Sequence, residues 1–285
     1  MEKLNLISKK NFILEKIIYE NADAHTRVLA ARDNELGRTV ILKQIDFENE
    51  MQRQLILKEV KNQVYLEDYS DFIPRIHNVF IDNNQKTIVI EMQKIVGKSL
   101  RNIMIENTSR EKNEDWYKEN YDLFLQICRS MERIHKANGF VHKDLKPENI
   151  IINRTRKAAY IIDFGISGPG MSKRIGTAQY MAPEQQGRVD KYYVSQATDV
   201  YALGQIAIEL FRGAPLEYGK ELVYNPTGNV WLKEKDISHL GKEFYPRLGE
   251  VIKKAISMNP RDRYPNAEKL LDALQIRKGG QNGRR

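Results

Sequence analysis

The stretch VHKDLKPENIIIN, residues 141–153, decides the fold, because it joins a polar turn to a continuous apolar strand. Asp144 and Lys146 are separated by a single leucine, so in an extended turn a carboxylate and an ammonium group face the same way. That pair suits proton acceptance beside developing negative charge. Asn149 immediately precedes the apolar run 150–152, and its amide oxygen is a ligand that hard cations accept. The alternative interpretation is a polar loop before a buried strand.

A second apolar strand, residues 158–162, follows a short basic turn and predicts a hairpin with the first strand. It ends in the triplet Asp163-Phe164-Gly165. HKDLKPEN followed by DFG resembles the catalytic loop and the metal-binding triplet of the protein kinase superfamily, and KPEN resembles its serine/threonine branch. The segments GTAQYMAPEQ and TDVYALG are most similar to those of bacterial kinases of the eukaryotic (Hanks) type.

The resemblance covers roughly residues 12–275 and implies an α+β, two-lobed protein-kinase-like fold. We expect a small, mainly antiparallel β lobe with one helix and a larger, mainly helical lobe. The predicted organisation is an N-terminal arm at 1–11, a small ATP-binding lobe at 12–93, a large catalytic and substrate lobe at 94–275, and a flexible basic tail at 276–285.

The resemblance also implies a role for each residue of the turn and its surroundings. Asp144 accepts the proton of the substrate hydroxyl, Lys146 steadies the transferring phosphoryl group, and Thr177 lies beside both. Asn149 and Asp163 hold Mg2+ or Mn2+. The structural residues are His142 and Asp199, which support the catalytic turn, and Glu184 and Arg263, which pair to brace the large lobe.

The sequence Val40 to Lys43, VILK, resembles the strand whose lysine holds the α and β phosphates of ATP. Alternation along the strand places Lys43 on the same face as Ile41. Residues 48–69 have apolar positions near helical period, which predicts a helix. Glu59 on that helix best matches the glutamate that pairs with the strand lysine, and Glu50 and Glu67 are the alternatives.

Two further strands, 76–80 and 87–92, lead into a segment that resembles the hinge between the kinase lobes. By this resemblance the main-chain groups of Glu91 and Gln93 contact adenine, and Ile90 lines the rear of the pocket. Val28 is expected to bind the nucleotide as well.

The loop between the first two strands departs from the family, because residues 19–28 contain no glycine. The usual glycine positions fall on Asn21, Asp23 and Thr26, and asparagine and aspartate tolerate left-handed backbone better than most residues. Asn21 and Asp23 are therefore the expected phosphate-loop residues. The acidic side chains of Glu20 and Asp23 should weaken nucleotide binding, so we expect a weaker or slower kinase.

The segment after Gly165 ends in GTAQYMAPE, residues 176–184, which resembles the substrate-facing end of a kinase activation segment. This resemblance favours a peptide or protein acceptor. Ser172, next to Lys173 and Arg174, is the first candidate phosphorylation site, and Ser167 is the second. The arginine that usually precedes the catalytic aspartate is Lys143 here, which leaves dependence on loop phosphorylation open.

Composition limits the remaining classes of function. The chain has 285 residues, 41% hydrophobic and 29% charged, with a net charge of +8 spread along its length, so we expect no specific nucleic-acid partner. Its apolar runs are too short for a membrane span. The single cysteine, Cys128, has helical spacing with apolar neighbours and indicates a buried thiol in a reducing cytoplasm. A free cytoplasmic protein and the cytoplasmic domain of a longer membrane protein are both consistent with this composition.

The sequence therefore predicts an ATP- and Mg2+-dependent protein kinase that phosphorylates Ser and Thr hydroxyls, its own included, with a homodimer as one arrangement for self-phosphorylation. Two alternatives stay open. A pseudokinase, acting as a nucleotide-binding or interaction module, is favoured by the glycine-free loop and opposed by Lys43, Asp144, Asn149 and Asp163. A small-molecule phosphotransferase is disfavoured by the segment that ends at Glu184.

Overall fold

The computed structural model describes residues 3–4, 12–21, 25–137, 139–164, 177, 179–186, 194–214, 223–224, 230–231 and 242–275. The chain divides into two compact units, residues 1–96 and 97–285. The division falls a few residues after position 93, where the sequence analysis ends the small lobe. The predicted tail at 276–285 lies outside the described residues.

The first unit is built on an antiparallel sheet, six-stranded within the described residues, in the order β1-β2-β3-β4-β6-β5. The predicted arm contributes β1, whose two residues pair with the start of β2. The strands are β1 (Lys3–Leu4), β2 (Phe12–Asn21), β3 (Thr26–Asp33), β4 (Arg38–Asp46), β5 (Ile76–Asp82) and β6 (Thr87–Gln93).

Alternation along β4 and β6 gives this sheet two apolar faces. Val40, Leu42 and Val89 are buried on one face. Ile88 and Ile90 are buried on the opposite face together with Val60, which belongs to helix α1 (Glu50–Leu66). The carbonyl oxygen of the Asn49 side chain accepts a hydrogen bond from the Gln52 N–H and caps the start of α1. The helix therefore covers the face of β4 from which Lys43 projects.

The second unit is mainly helical and carries two small antiparallel sheets in its described part. Strand β8 pairs on one side with β7 and on the other with β9, and β10 pairs with β11. The helices are α2 (Leu100–Asn107), α3 (Glu114–His135), α4 (Gln196–Arg212), α5 (Leu248–Ala255) and α6 (Ala267–Gln275). The strands are β7 (Lys98–Ser99), β8 (Ile150–Asn153), β9 (Ala158–Ile161), β10 (Val223–Tyr224) and β11 (Val230–Trp231).

Helix α4 is buried at every residue from Ala197 to Phe211, as its apolar sequence predicts. It begins at Gln196, three residues before Asp199. Ser195 is the N-cap residue, and its N–H donates to the side-chain oxygen of Thr198 at 3.0 Å. Asp199 therefore lies inside the first turn of α4.

Helix α3 places Cys128 in the core of this unit. Burial raises the pKa of the Cys128 thiol well above its ordinary value, so the thiol stays protonated at neutral pH. Across the part of the chain that is described, no helix has the length and hydropathy needed to cross a membrane. The prediction of an α+β fold, with one mainly β unit and one mainly helical unit, is confirmed.

Candidate functional site

The hairpin of β8 and β9 sets the position of the turn at residues 141–149, called here the Asp144 turn. Ile150 pairs with Ile161, and the next N–H, that of Ile162, donates to the carbonyl oxygen of Asn149 at 2.9 Å. This bond fixes the residue just before Asp163 against the end of the turn. The apolar strands thus bring Asn149 and Asp163 to the same end of the hairpin.

Donors from two segments surround the Asp144 carboxylate. Thr177 contacts Oδ1 twice, through its N–H at 2.8 Å and its hydroxyl at 3.0 Å. The Lys146 ammonium lies 2.9 Å from Oδ2 and also donates to the Thr177 hydroxyl at 2.9 Å. The structure therefore joins the three predicted catalytic residues in one hydrogen-bonded group with a carboxylate at its centre.

Asn149 and Asp163 supply oxygen atoms of the kind that Mg2+ accepts. The two hydrogen bonds of the Asn149 side chain, to the Asp144 main-chain and side-chain oxygens at 2.9 and 3.3 Å, both use Nδ2. Its carbonyl oxygen is thereby the atom available to a cation. Asp163 is exposed, and its φ of 63° is a left-handed conformation uncommon outside glycine. These donors fit a hard divalent cation.

The Asp199 carboxylate holds the backbone of the Asp144 turn by hydrogen bonds. It accepts the N–H groups of His142 at 2.7 Å and of Lys143 at 2.9 Å. Lys143 has a φ of 71°, and its carbonyl oxygen accepts a hydrogen bond from Gln185 at 2.8 Å. Both peptide groups of a strained residue are thus fixed, which explains how the turn keeps this conformation.

Burial and the surrounding polar groups have opposite effects on the pKa of Asp199, and likewise on the pKa of His142. Burial alone would raise the pKa of Asp199, but its hydrogen bonds with His135 and with the N–H of His142 keep that pKa below its ordinary value. Burial lowers the pKa of His142 despite the nearby carboxylates of Asp199, Asp144 and Asp163. The turn therefore rests on an ionised aspartate and a neutral His142.

Glu184 and Arg263 form a two-point ion pair inside the second unit. Arg263 donates from Nη1 to Oε1 at 2.7 Å and from Nη2 to Oε2 at 2.8 Å, and both side chains are fully buried. Thr198 on α4 donates to the same carboxylate at 2.8 Å. The structure brings the two residues together as the sequence analysis expects, although they are 79 positions apart.

In the first unit the ammonium group of Lys43 lies 2.9 Å from Oε1 of Glu59. The two alternatives have other partners: Glu50 pairs with Arg53 at 2.8 Å, and Glu67 accepts the N–H of Ile76 at 2.7 Å. The Lys43 and Glu59 side chains are only 17% and 13% exposed, so solvent weakens their attraction less than at an open surface.

The residues predicted to surround the nucleotide lie around Lys43 on neighbouring strands. Val28 on β3 and Ile90 on β6 are the cross-strand partners of Lys43 on its two sides. The Glu91 side chain is buried and accepts from Asn78 at 2.7 Å. The N–H of Gln93 donates to the carbonyl oxygen of Arg75 at 2.8 Å, so this group, expected to contact adenine, is already used within the first unit.

The hairpin between β2 and β3 replaces the expected glycine-rich loop. Asn21 and Thr26 are paired across the two strands, and His25, directly before Thr26, has a left-handed φ of 47°. Glu20 forms an exposed ion pair with Arg27 at 2.9 Å, which offsets part of its negative charge. The remaining predicted residues Asp23, Ser167 and Ser172 lie outside the described residues.

The sequence analysis missed a polar network beside the Asp144 turn, which is buried at Tyr180 and Glu209 and reaches the surface at Glu148. Arg101 on α2 donates to Glu148 at 2.7 Å and to the Tyr180 hydroxyl at 2.5 Å, and lies 3.3 Å from a carboxylate oxygen of Glu209. Tyr180 in turn donates to Glu209 at 2.8 Å. Burial, followed by the charge of Glu209, raises the pKa of Tyr180. The sequence does contain a feature that indicates this network, because Glu209 is a carboxylate near the end of a largely apolar helix.

Residues 24–274 match the family model described as a protein kinase domain. A probable serine/threonine-protein kinase of Clostridium acetobutylicum is 28% identical over 87% of this chain and 37% of its own length. Serine/threonine-protein kinase D of Synechocystis is 30% identical over 79% of this chain and 42% of its own length. Serine/threonine-protein kinase PknD of Chlamydia trachomatis is 29% identical over 87% of this chain and 30% of its own length. The chain thus spans well under half the length of these curated relatives.

Proposed function

Because the chain belongs to the protein kinase family, we propose that it transfers the γ-phosphate of ATP to Ser and Thr hydroxyls of proteins, its own included. The observation that carries this proposal is the position of the Asp144 carboxylate between the Lys146 ammonium and the Thr177 hydroxyl. The names of the relatives, all serine/threonine-protein kinases, support the choice of acceptor.

Each member of the group has a proposed role in the transfer. Asp144 orients the acceptor hydroxyl and takes up its proton. Lys146 carries a fixed positive charge beside the site where negative charge develops. Thr177 holds the ends of both side chains, so that neither has to be immobilised during the reaction. Mg2+, held by Asn149 and Asp163, supplies charge neutralisation of the phosphates.

In the first unit, Lys43 is the proposed ligand of the α and β phosphates. Glu59 fixes the Lys43 side chain in one orientation, which lowers the entropic cost of binding a phosphate. Val28, its partly buried neighbour on one side, is the proposed apolar contact of the base, and Ile90, the buried neighbour on the other side, lines the rear of the pocket. Asn21 and Asp23 belong to the proposed phosphate loop, and the Glu20 ion pair with Arg27 reduces the repulsion expected there.

The proposal extends to partners and location. The acceptor is a protein with an accessible Ser or Thr, and transfer between two copies of the chain accounts for self-phosphorylation. Ser172 and Ser167 are the proposed self-phosphorylation sites. A cytoplasmic location suits a buried, reduced Cys128.

The test is incubation of the purified chain with radiolabelled ATP, Mg2+ and a generic basic protein, followed by separation of phosphoamino acids. Asp144→Asn and Asp163→Asn are compared with Asp122→Asn, a matched change at an exposed aspartate on α3. We expect label on serine and threonine, a loss of at least about a hundredfold in the first two variants, and no loss in the control.

Two results would overturn the proposal. Label that persists in Asp144→Asn and Asp163→Asn would mean that another group carries the reaction. No label from the parent chain, together with retained ATP binding, would favour the pseudokinase interpretation. ATP binding is measured separately by titration calorimetry, with Lys43→Met as the variant expected to lose affinity.

A further inference from the structure

His135 joins three helices at the end of α3. Its Nδ1 accepts the N–H of Ala267, the first residue of α6, at 3.1 Å, and its Nε2 lies 3.0 Å from Oδ2 of Asp199 on α4. Gln196 donates to the His135 carbonyl oxygen at 2.7 Å. Because Nδ1 is an acceptor, the ring proton must be on Nε2, where it donates to Asp199.

The same Asp199 carboxylate holds the Asp144 turn. It accepts the N–H groups of His142 and Lys143, the two residues directly before Asp144. A continuous path of hydrogen bonds therefore runs from the first N–H of α6, through the His135 ring and the Asp199 carboxylate, to the backbone of the turn. His135, Asp199 and Lys143 are 7%, 1% and 6% exposed, so water cannot readily replace a lost partner.

We propose that His135 is a positioning residue that makes the placement of the Asp144 turn depend on the placement of helix α6. Lys143 keeps its left-handed backbone only while Asp199 holds its N–H, and Asp199 is oriented by His135. Displacement of α6 removes the Nδ1 bond that fixes the ring, and the ring then no longer orients the carboxylate. A partner that binds α6 and displaces it therefore changes the placement of the Asp144 turn and the activity that depends on it.

Ala267→Pro breaks the path at its first bond, and because Ala267 is buried the proline ring also displaces the His135 imidazole. Proline has no N–H, and Ala267 is the first helical residue, directly after the N-cap Asn266, whose side chain accepts from Lys269 at 3.0 Å. Proline is well tolerated at that position of a helix. His135→Gln breaks the same bond from the other side, because the amide nitrogen of glutamine reaches the place of Nε2 and keeps the bond to Asp199 while Nδ1 is lost.

The experiment is a double-mutant cycle on the full chain: parent, Ala267→Pro, His135→Gln and the double variant. The first readout is amide hydrogen exchange of the peptides that contain His142 and Lys143. The second is kcat with a basic protein substrate. We expect faster exchange and a kcat lowered roughly three- to tenfold in Ala267→Pro, the ratio for about one hydrogen bond, with no further effect of this change in the His135→Gln background.

Equal effects of Ala267→Pro with and without His135 would overturn the proposal, because the perturbation would then travel by another route. If Ala267→Pro fails to fold, His135→Gln and His135→Asn are each compared with the parent. His135→Gln keeps the bond to Asp199 and loses only the bond to α6, so the coupling predicts faster exchange in the turn than in the parent. Exchange in His135→Gln equal to that of the parent, with faster exchange only in His135→Asn, would contradict the coupling. The kinetic consequence rests on the proposed phosphotransfer, but the exchange readout does not. A chain without kinase activity would still test the coupling.

Discussion

Replacing Arg263 by methionine should be among the most damaging single changes in the second unit. The guanidinium group makes two bonds to the Glu184 carboxylate and donates to the main-chain oxygens of Ser257 at 2.6 Å, Ala197 at 3.0 Å and Met258 at 3.1 Å. Neither member of the ion pair is exposed. Arg263→Met leaves a buried carboxylate whose remaining donor, among the residues that the structure describes, is the neutral Thr198.

Removing one partner of a buried ion pair costs about 3–5 kcal/mol, because the other charge stays buried without compensation. The free energy of unfolding of Arg263→Met should fall by that amount. Adding Glu184→Leu should recover part of the loss and not all of it, since the three main-chain oxygens remain without their donor. The matched control is Arg110→Met, which removes an exposed partner of Glu119 and should cost less than about 1 kcal/mol.

The assay is urea unfolding followed by far-UV circular dichroism, with stability taken from the midpoint and slope. If Arg263→Met lowers the free energy of unfolding no more than Arg110→Met does, the buried ion pair does not have the predicted effect. A double variant less stable than the single one would contradict the prediction as well, because the loss would then not come from an uncompensated Glu184.

Three further predictions concern other parts of the second unit. The Cys128 thiol should resist a water-soluble thiol reagent in the folded chain and react fully in urea, and labelling without denaturant would contradict its burial. Burial lowers the pKa of His142 below 6.5, so as the pH drops below that value the unfolded chain binds a proton before the folded chain does, and stability falls. His142→Phe should therefore make the melting temperature depend less on pH between pH 7 and pH 5. An unchanged pH dependence of the melting temperature would contradict this. Gly204→Ala should lower stability by about 1–3 kcal/mol, since its Cβ would lie 2.5 Å from the Ile256 side chain, and a higher urea midpoint would refute this.

Local patterns predicted the sheet of the first unit and the direction of Lys43. Alternation with period 2 places Lys43 on the face of Ile41, and the helical period of residues 48–69 supplies the helix that covers this face. The choice of Glu59 over Glu50 and Glu67 came from the resemblance to the kinase family, and the structure places Glu59 2.9 Å from Lys43. The hydrogen bond of the Gln93 N–H could not be predicted, because its acceptor, Arg75, lies in a loop whose path has no periodic signal.

Contacts between distant segments could not be predicted in the same way. Thr177 and Asp144 are 33 positions apart, and Arg101 and Tyr180 are 79 positions apart. Only tertiary packing decides which donor reaches a given carboxylate. The start of α4 is a local feature by contrast, since Ser195 and Thr198 form its cap within four residues of sequence.

The surroundings of Asp144 have one more consequence, for the order of events at the site. A carboxylate offers about four acceptor positions, and four donor contacts from Thr177, Lys146 and Asn149 occupy them. An incoming hydroxyl must therefore enter by exchange and not by simple addition. The Asn149 contact, at 3.3 Å, is the longest of the four and the first to yield. In the proposed transfer, binding of the acceptor hydroxyl therefore competes with donors that the chain itself supplies to Asp144.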